Sequence, residues 1–332
     1  MALPRRRAVT DPTIAGLVVR PMATRIGAEI SGVDLSDPLD DEVADAIWSA
    51  VLRWKVVFFR EQHLDHAGHV ALARRFGAPI LSPSRGDASP AAFPQVQSMV
   101  DRLELAERYG QDRAQWLDRR RHTLLRDWHS DLTPWIDPPA ATMLRAEAAP
   151  PYGGDTTWAN LAAAYAGLSE PLRRLAESLR AEHRRGVGYL PLPGHDAYAQ
   201  ELQERPVVSI HPLVRVHPET GERVLLVNPY YVERFVELSR AESRALLELF
   251  VDQATRPEYT VRFPWEPGSI AFWDNRATIH LAAQDRDHLD SPRILHRVML
   301  AGDVPVGVDG TPSTAVAGAP LTEPKDELAA PR

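Results

Sequence analysis

The sequence predicts an α+β fold, in which a sheet sandwich or open barrel carries helices on its outside. Helical patterns lie early and in the middle of the chain, whereas the last third is rich in strand-like runs. Those runs are short, β-branched or aromatic, and bounded by proline, glycine or aspartate. No internal repeat and no linker divides the chain, so we expect a single domain.

The individual elements follow from local patterns. The predicted strands are Leu17–Arg20, Val56–Phe59, Thr142–Arg145, Val207–Val216, Val224–Val227, Tyr259–Phe263, Ile270–Trp273 and Ile294–Leu300. One helix is predicted where Val43, Ile47 and Val51 recur at four-residue spacing after a Ser-Asp-Pro-Leu-Asp-Asp segment. A second is predicted to begin at Ser239, which forms a capping-box pattern with Glu242.

The composition fits a globular protein and limits the chemistry of any metal site. The chain has 332 residues, of which 44% are hydrophobic, enough to bury a sizeable core. It has 12 histidines and no cysteine. Disulfides, iron–sulfur clusters and thiolate zinc sites are therefore excluded, and a metal would be held by imidazole and carboxylate groups. The formal net charge of −7 argues against a nucleic-acid partner.

The two ends of the chain are expected to lie outside the domain. Met1–Arg7 is basic, but no apolar segment follows it, so no secretory signal is expected. No run of about 18 apolar residues occurs, which argues against a membrane-spanning helix, and a cytoplasmic protein is expected. We predict disordered tails over residues 1–15 and 304–332, on either side of a domain over residues 16–303.

Three His-x-Asp pairs are candidate metal ligands, because residues i and i+2 of an extended segment point to the same side and can bind one ion. The pair in His63–Asp65 begins a helical pattern, with Asp65 at the position of an N-cap. The pair in His288–Asp290 lies in a polar loop without strand character. The context of His129–Asp131 favours this pair over the other two.

Residues far along the chain can complete a site at this pair. A facial iron site needs two histidines and one carboxylate, and His280 follows an apolar strand as a distant third ligand. In the next strand, alternation places Arg293 and Arg297 on one face. Two inward arginines are costly unless they bind anions. An α-keto acid and a charged substrate would provide those anions.

At these residues the sequence resembles the taurine dioxygenase (TauD/TfdA) family of iron(II)/2-oxoglutarate-dependent oxygenases. The resemblance covers roughly residues 18–304 and depends on the number, order and spacing of its motifs. These motifs are Gly27–Leu35, Arg75–Gly77, Trp128–Asp131, Pro138–Ala140, Gly153–Thr156, His211–Val214, Trp273–Asn275 and Arg293–Arg297.

The resemblance implies a fold and a set of site residues. The implied fold is the double-stranded β-helix, a jelly roll with helices packed around it. By position, His129, Asp131 and His280 match the ligands of Fe(II). Thr156 and Arg293 match the residues that hold the far carboxylate of 2-oxoglutarate.

The resemblance also implies the reaction and limits the substrate. With 2-oxoglutarate and O₂ as cosubstrates, such an enzyme hydroxylates a C–H bond and releases succinate and CO₂. Arg297 matches the arginine that pairs with the anionic group of the substrate in the sulfonate-using members. Ser82 and Leu125 stand where the taurine enzyme has a histidine and an asparagine on the substrate side, so taurine is not expected. A small sulfonate, sulfate ester, carboxylate or phosphate is expected instead.

Residues 80–127 are a candidate lid over this site. The stretch 101–127 is long and charged, with seven arginines among acidic and apolar residues. One interpretation is a solvated helix stabilised by ion pairs. The other is a lid whose arginines recruit an anionic substrate. The sequence leaves open whether the chain forms a homo-oligomer.

Two other functions stay open. A jelly-roll protein that binds a small molecule but has lost catalysis would not explain why all five metal and cosubstrate residues are intact. A zinc-dependent hydrolase could use the same two-histidine, one-carboxylate set. It would not explain the paired arginines.

The remaining notable residues are expected to have structural roles. His296 is expected to pack on the face opposite Arg293, Trp273 to lie in the core, and Arg276 to form an ion pair. Tyr152 and Trp158 either line the pocket or pack. Surface, capping or turn positions are expected for His63, His66, His69, His122, His183, His195, His211, His217 and His288.

Overall fold

The computed structural model describes residues 16–81, 83, 90, 92–99, 128–187, 200, 202–283, 285, 289 and 291–322. The strands are β1 (Val18–Pro21), β2 (Ala28–Ser31), β3 (Val56–Phe59), β4 (Gln97–Met99), β5 (Ala141–Ala148), β6 (Thr156–Asn160), β7 (Arg180–Arg184), β8 (Val208–Pro212), β9 (Val214–Val216), β10 (Arg223–Leu225), β11 (Val232–Phe235), β12 (Thr260–Phe263), β13 (Ile270–Asp274), β14 (Thr278–Ala282), β15 (Ile294–Leu300) and β16 (Thr314–Ala317). The helices are α1 (Asp41–Trp54), α2 (His66–Arg74), α3 (Leu161–Ala166), α4 (Glu170–Glu177) and α5 (Arg240–Ala254), with a 3₁₀ turn at Pro257–Tyr259.

The predicted elements are confirmed, with small shifts at their ends. Each of the eight predicted runs contains or overlaps a strand. Helix α1 buries Ile47 and Val51, as the four-residue spacing predicted. Helix α5 begins with the predicted capping box, in which the Ser239 side chain and Glu242 bond each other's backbone amides. No described helix is both long and apolar enough to span a membrane.

Two sheets face each other across the core that supports the site. One has seven strands in the order β1-β2-β3-β13-β5-β15-β4, and the other has three in the order β12-β6-β14. Between them, the Phe58 and Phe263 rings stack at 4.1 Å and Trp158 meets Trp273 edge-on at 5.5 Å. Because side chains alternate along a strand, the other face of the large sheet packs on α1 and α2, with Phe272 among its buried residues.

The C-terminal tail predicted over residues 304–332 is wrong for residues 304–322. Strand β16 pairs antiparallel with β8 and completes a four-stranded sheet. The Asp137 carboxylate accepts hydrogen bonds from the backbone amides of Leu321 and Thr322, at 2.7 and 2.9 Å. These contacts are long-range, so a local lack of periodicity could not reveal them. The tail predicted over residues 1–15 and the end of the chain from residue 323 lie outside the described residues.

Four histidines expected at the surface, in caps or in turns are buried instead. They are His69, His183, His211 and His217, each at most 1% exposed. The prediction was wrong because single histidines carry no sign of burial when their neighbours come from distant strands. The capping prediction at Asp65 is confirmed, since its carboxylate accepts from the Gly68 amide at 2.7 Å. His122, His195 and His288 lie outside the described residues.

These buried imidazoles predict that the protein loses stability in mild acid. Burial lowers the pKa of His69 to about 3, that of His211 to about 4, and that of His183 well below its usual range. Between about pH 6.5 and pH 4 the unfolded chain therefore binds protons that the native chain does not. The free energy of unfolding is expected to fall by about 1.4 kcal/mol per pH unit for each histidine.

Urea unfolding of the metal-free protein at pH 6 and at pH 5 measures this slope. In the variant His69→Leu this slope should be smaller by the contribution of one histidine. The variant His63→Gln, at an exposed position, should keep the whole slope. An unchanged slope in His69→Leu would contradict the lowered pKa of His69.

Candidate active site

The structure brings the three predicted metal ligands together. One ligand atom from each of His129, Asp131 and His280 lies within 4.8 Å of the others, and within the described part of the chain no other histidine or acidic group forms such a set. The segments of the two histidines are joined by backbone hydrogen bonds: the His129 amide donates to the His280 carbonyl at 2.9 Å, and the reverse bond measures 2.7 Å. His280, the third candidate ligand, is thus aligned with the His-x-Asp pair by main-chain pairing.

The residue between the two ligands anchors the loop. The Ser130 hydroxyl donates to the carbonyl oxygen of Asn275, in the turn before β14, at 2.6 Å and lies 2.8 Å from that of Thr278, the first residue of β14. Leu132 follows the pair with a φ of 51°, so the chain turns sharply behind the site. The Ser130 side chain is thus directed toward this turn, and its two neighbours in the sequence, His129 and Asp131, group with His280.

The protonation states suit a divalent metal. Burial raises the pKa of Asp131, but the Arg297 guanidinium and the nearby histidines outweigh this and hold that pKa at about 2. Burial, with His129 close by, lowers the pKa of His280 to about 3. Ionised carboxylate and neutral imidazole are the forms that bind metals.

The surroundings of the trio also fit a metal ion. The buried Nδ1 of His280 has no hydrogen-bond partner among the described residues. Two imidazoles and one carboxylate on one side of an ion are the donors of non-haem iron oxygenases, with positions left for cosubstrate and O₂. The donor set therefore fits Fe(II).

Thr156 and Arg293, the predicted cosubstrate residues, are adjacent. The Arg293 guanidinium donates to the Gly154 carbonyl at 2.9 Å and to the Thr156 hydroxyl oxygen at 3.4 Å. The Trp265 indole donates to the same hydroxyl oxygen at 2.9 Å. Because that oxygen accepts both bonds, its own proton can be donated to an anion. Gly154 lies in a turn with a φ of 68°, a conformation that favours glycine.

Arg297 contacts one of the candidate metal ligands and is held in place by two side chains. Its Nη1 donates to Asp131 Oδ1 at 2.6 Å, and its Nε donates to Gln97 Oε1 at 2.9 Å, with Nη2 bonding the same oxygen. Gln97 lies opposite Arg297 in the pairing of β4 with β15. No local pattern predicted Gln97, because only the strand register brings it to the arginine.

An aromatic surface beside His129 was also missed. The Tyr230 ring lies 5.6 Å from the His129 ring, is 38% exposed, and meets Tyr231 edge-on at 4.8 Å. The only signal was a tyrosine pair just after a predicted strand. Trp158 proves to be a core residue, whereas Tyr152 is 63% exposed.

The expected structural roles of three residues are confirmed. His296 faces away from the site, where its Nε2 lies 2.8 Å from Glu147. Arg276 forms a buried ion pair with Asp274 at 2.9 Å, and Trp273 is fully buried. Of the candidate lid over residues 80–127, residues 97–99 form β4 of the large sheet, whereas Ser82, Leu125 and all of residues 100–127 lie outside the described residues, so these predictions remain open.

Comparisons with known proteins agree with the geometry. Residues 19–299 match the family model described as "Taurine catabolism dioxygenase TauD, TfdA family". An alpha-ketoglutarate-dependent sulfate ester dioxygenase of Pseudomonas putida is 42% identical, over 91% of this chain and 95% of that protein. An alkylsulfatase of Acinetobacter baylyi is 36% identical, over 91% of this chain and 90% of that protein.

Solved structures give the same result for the fold. A taurine dioxygenase from Burkholderia xenovorans superposes with a TM-score of 0.77 at 46% identity, covering 92% of this chain and 96% of that one. The predicted jelly-roll fold is thereby confirmed. The chain belongs to the TauD/TfdA family of 2-oxoglutarate-dependent dioxygenases and is an oxidoreductase of that class.

Proposed function

We propose that the protein is an Fe(II)-dependent dioxygenase that cleaves small organic sulfate esters by hydroxylating the carbon bound to the ester oxygen. The reaction R–CH₂–O–SO₃⁻ + 2-oxoglutarate + O₂ gives R–CH(OH)–O–SO₃⁻, succinate and CO₂. The hydroxylated ester then collapses: the hydroxyl loses its proton, the C–O bond to sulfate breaks, and an aldehyde and sulfate are released. The observation that carries this proposal is Arg297, whose guanidinium is fixed 2.6 Å from Asp131.

The residues of the site have two separate binding roles. His129, Asp131 and His280 would hold Fe(II), and Thr156 with Arg293 would bind the far carboxylate of 2-oxoglutarate by charge-assisted hydrogen bonds. The bound iron and 2-oxoglutarate supply the oxidising chemistry. The chain itself orients both substrates and excludes water.

Arg297 suits the anionic end of the substrate. A guanidinium has five N–H groups, and three of them bond Asp131 and Gln97. The two others can bond two oxygens of one anion in the planar arrangement that arginine favours. A sulfate ester offers three such oxygens next to the C–H bond to be attacked.

The organic part of the substrate also has a surface to contact. Tyr230 presents an exposed ring beside His129, and Tyr231 extends that surface. Aromatic rings of this kind bury the alkyl or aryl part of a ligand. The names of the two relatives above, one acting on sulfate esters and one an alkylsulfatase, support a sulfate ester over a sulfonate or carboxylate.

A matched substrate panel tests the proposal. The protein with Fe(II), 2-oxoglutarate and O₂ is offered hexyl sulfate, hexanesulfonate, hexanoate, hexyl phosphate and taurine. We expect succinate, hexanal and sulfate in equal amounts from hexyl sulfate, and little succinate above background from the others. Succinate from the sulfonate or carboxylate instead would contradict the substrate class.

The metal assignment has its own readout. Under anaerobic conditions, Fe(II) and 2-oxoglutarate together should produce a weak visible charge-transfer band, and His129→Ala should lose it. The absence of the band, together with the absence of succinate from every substrate, would favour a binding protein. Ester cleavage with Zn²⁺ and without 2-oxoglutarate would favour a hydrolase.

A further inference from the structure

A chain of buried hydrogen bonds ends on the carboxylate of Asp131. The Trp273 indole donates to Asn275 Oδ1 at 2.8 Å, and Asn275 Nδ2 donates to Thr142 Oγ1 at 2.5 Å. The Thr142 hydroxyl donates to Asp131 Oδ2 at 2.9 Å. All four side chains are at most 3% exposed, so water does not compete for these bonds.

The direction of every bond in this chain is determined by its first member. An indole N–H can only donate, so the oxygen of the Asn275 amide must face Trp273 and its NH₂ group must face Thr142. The Thr142 oxygen therefore accepts, and its single proton is left for Asp131. An ionised carboxylate can only accept, so the last bond matches.

We propose that Trp273, Asn275 and Thr142 form a directional relay that positions Asp131 to bind the metal. Arg297 holds Oδ1 and the relay holds Oδ2, so the plane of the carboxylate is fixed from both sides. These are positioning residues, which act through Asp131. The relay rests on the proposed function, since it assumes that Asp131 is a metal ligand.

The relay also joins the two halves of the site. Asn275 lies between β13 and β14, in the turn that leads to His280, and its carbonyl oxygen lies 2.6 Å from the Ser130 hydroxyl. The same residue thereby orients Asp131 through its side chain and contacts the His-x-Asp loop through its backbone. Hydrogen-bond partners of metal ligands typically contribute 10- to 100-fold to metal affinity.

Mn(II) binding to the full chain, measured by calorimetry and electron paramagnetic resonance, tests the relay without catalysis. We expect Thr142→Val to weaken Mn(II) binding by about 10- to 100-fold, and Thr142→Ser, which restores the hydroxyl, to stay within about threefold of the original protein. Asn275→Asp should also weaken binding, because a carboxylate at this position would accept the proton that Thr142 gives to Asp131. In the double variant the two losses should not add, since both act on one bond.

Thr278→Val is the matched control, because the Thr278 hydroxyl is equally buried but donates to the Asp274 carbonyl at 2.8 Å. Unchanged binding in Thr142→Val, or an equal loss in Thr278→Val, would overturn the relay. Near-ultraviolet circular dichroism checks folding, and Thr142→Ala against Thr142→Ser gives the same comparison if the valine variant does not fold. The proposed function itself fails if the original protein binds no Mn(II), or if His129→Ala binds Mn(II) equally well.

Discussion

Replacing Arg297 by alanine is expected to weaken the binding of both the substrate and the metal. The guanidinium would pair with the sulfate group, and it also donates to Asp131 Oδ1 at 2.6 Å. Removing one partner of a buried, hydrogen-bonded charge pair costs about 2–5 kcal/mol. We therefore expect the KM for hexyl sulfate to rise by about 30-fold to several thousand-fold, with a parallel loss of Mn(II) affinity. Steady-state kinetics and Mn(II) titration measure the two effects.

Arg297→Lys separates charge from geometry. Lysine keeps the charge but lacks the fork that reaches Asp131 and Gln97 at once. It should recover part of the substrate affinity and little of the metal affinity. A variant affected only in its KM for 2-oxoglutarate would show that Arg297 serves the cosubstrate instead.

Replacing Arg293 by alanine is expected to act on 2-oxoglutarate alone. Arg293 is buried beside Thr156 and would pair with the far carboxylate, so its loss should raise the KM for 2-oxoglutarate by about 30-fold to several thousand-fold. The KM for hexyl sulfate and the Kd for Mn(II) should stay within about threefold, because Arg293 bonds the Gly154–Thr156 segment, which supplies none of the candidate metal ligands.

The nearby Arg262 provides the control. It binds Asp155 and Asp285 on the outside of the same turn and is 55% exposed, so Arg262→Ala should change the KM for 2-oxoglutarate little. A second readout uses 2-oxopentanoate, which has a methyl group in place of the far carboxylate. The original protein should prefer 2-oxoglutarate strongly, and Arg293→Ala should not. If Arg293→Ala kept that preference, its assignment would be wrong.

Much of the fold could be predicted from local patterns. The strands were visible because β-branched and aromatic runs end at turn residues, and α5 because its capping box is a local signal. Two candidate histidine ligands could be selected from 12 histidines together with Asp131, because i and i+2 spacing limits which His-x-Asp pairs can share an ion.

The partners of those ligands could not be predicted, since they depend on pairing between distant strands. Gln97 reaches Arg297 only through the register of β4 on β15, and Thr142 reaches Asn275 through β5 and β13. The same cause hid the buried environment of His183 and His211, whose rings meet at 4.9 Å. A sequence shows which residues can bind or donate, whereas the register decides which of them meet.

The pairing of β13 between β3 and β5 bears on how the protein is made. Strand β3, near the amino terminus, and strand β5, in the middle of the chain, both pair with β13. Neither can form that pairing before residues 270–274 have been made. His280 follows only after that strand. During synthesis, the three candidate metal ligands therefore cannot come together until most of the chain has left the ribosome, and folding of the site depends on contacts that form late. A nascent chain that stops short of residue 280 therefore lacks one of the three candidate metal ligands.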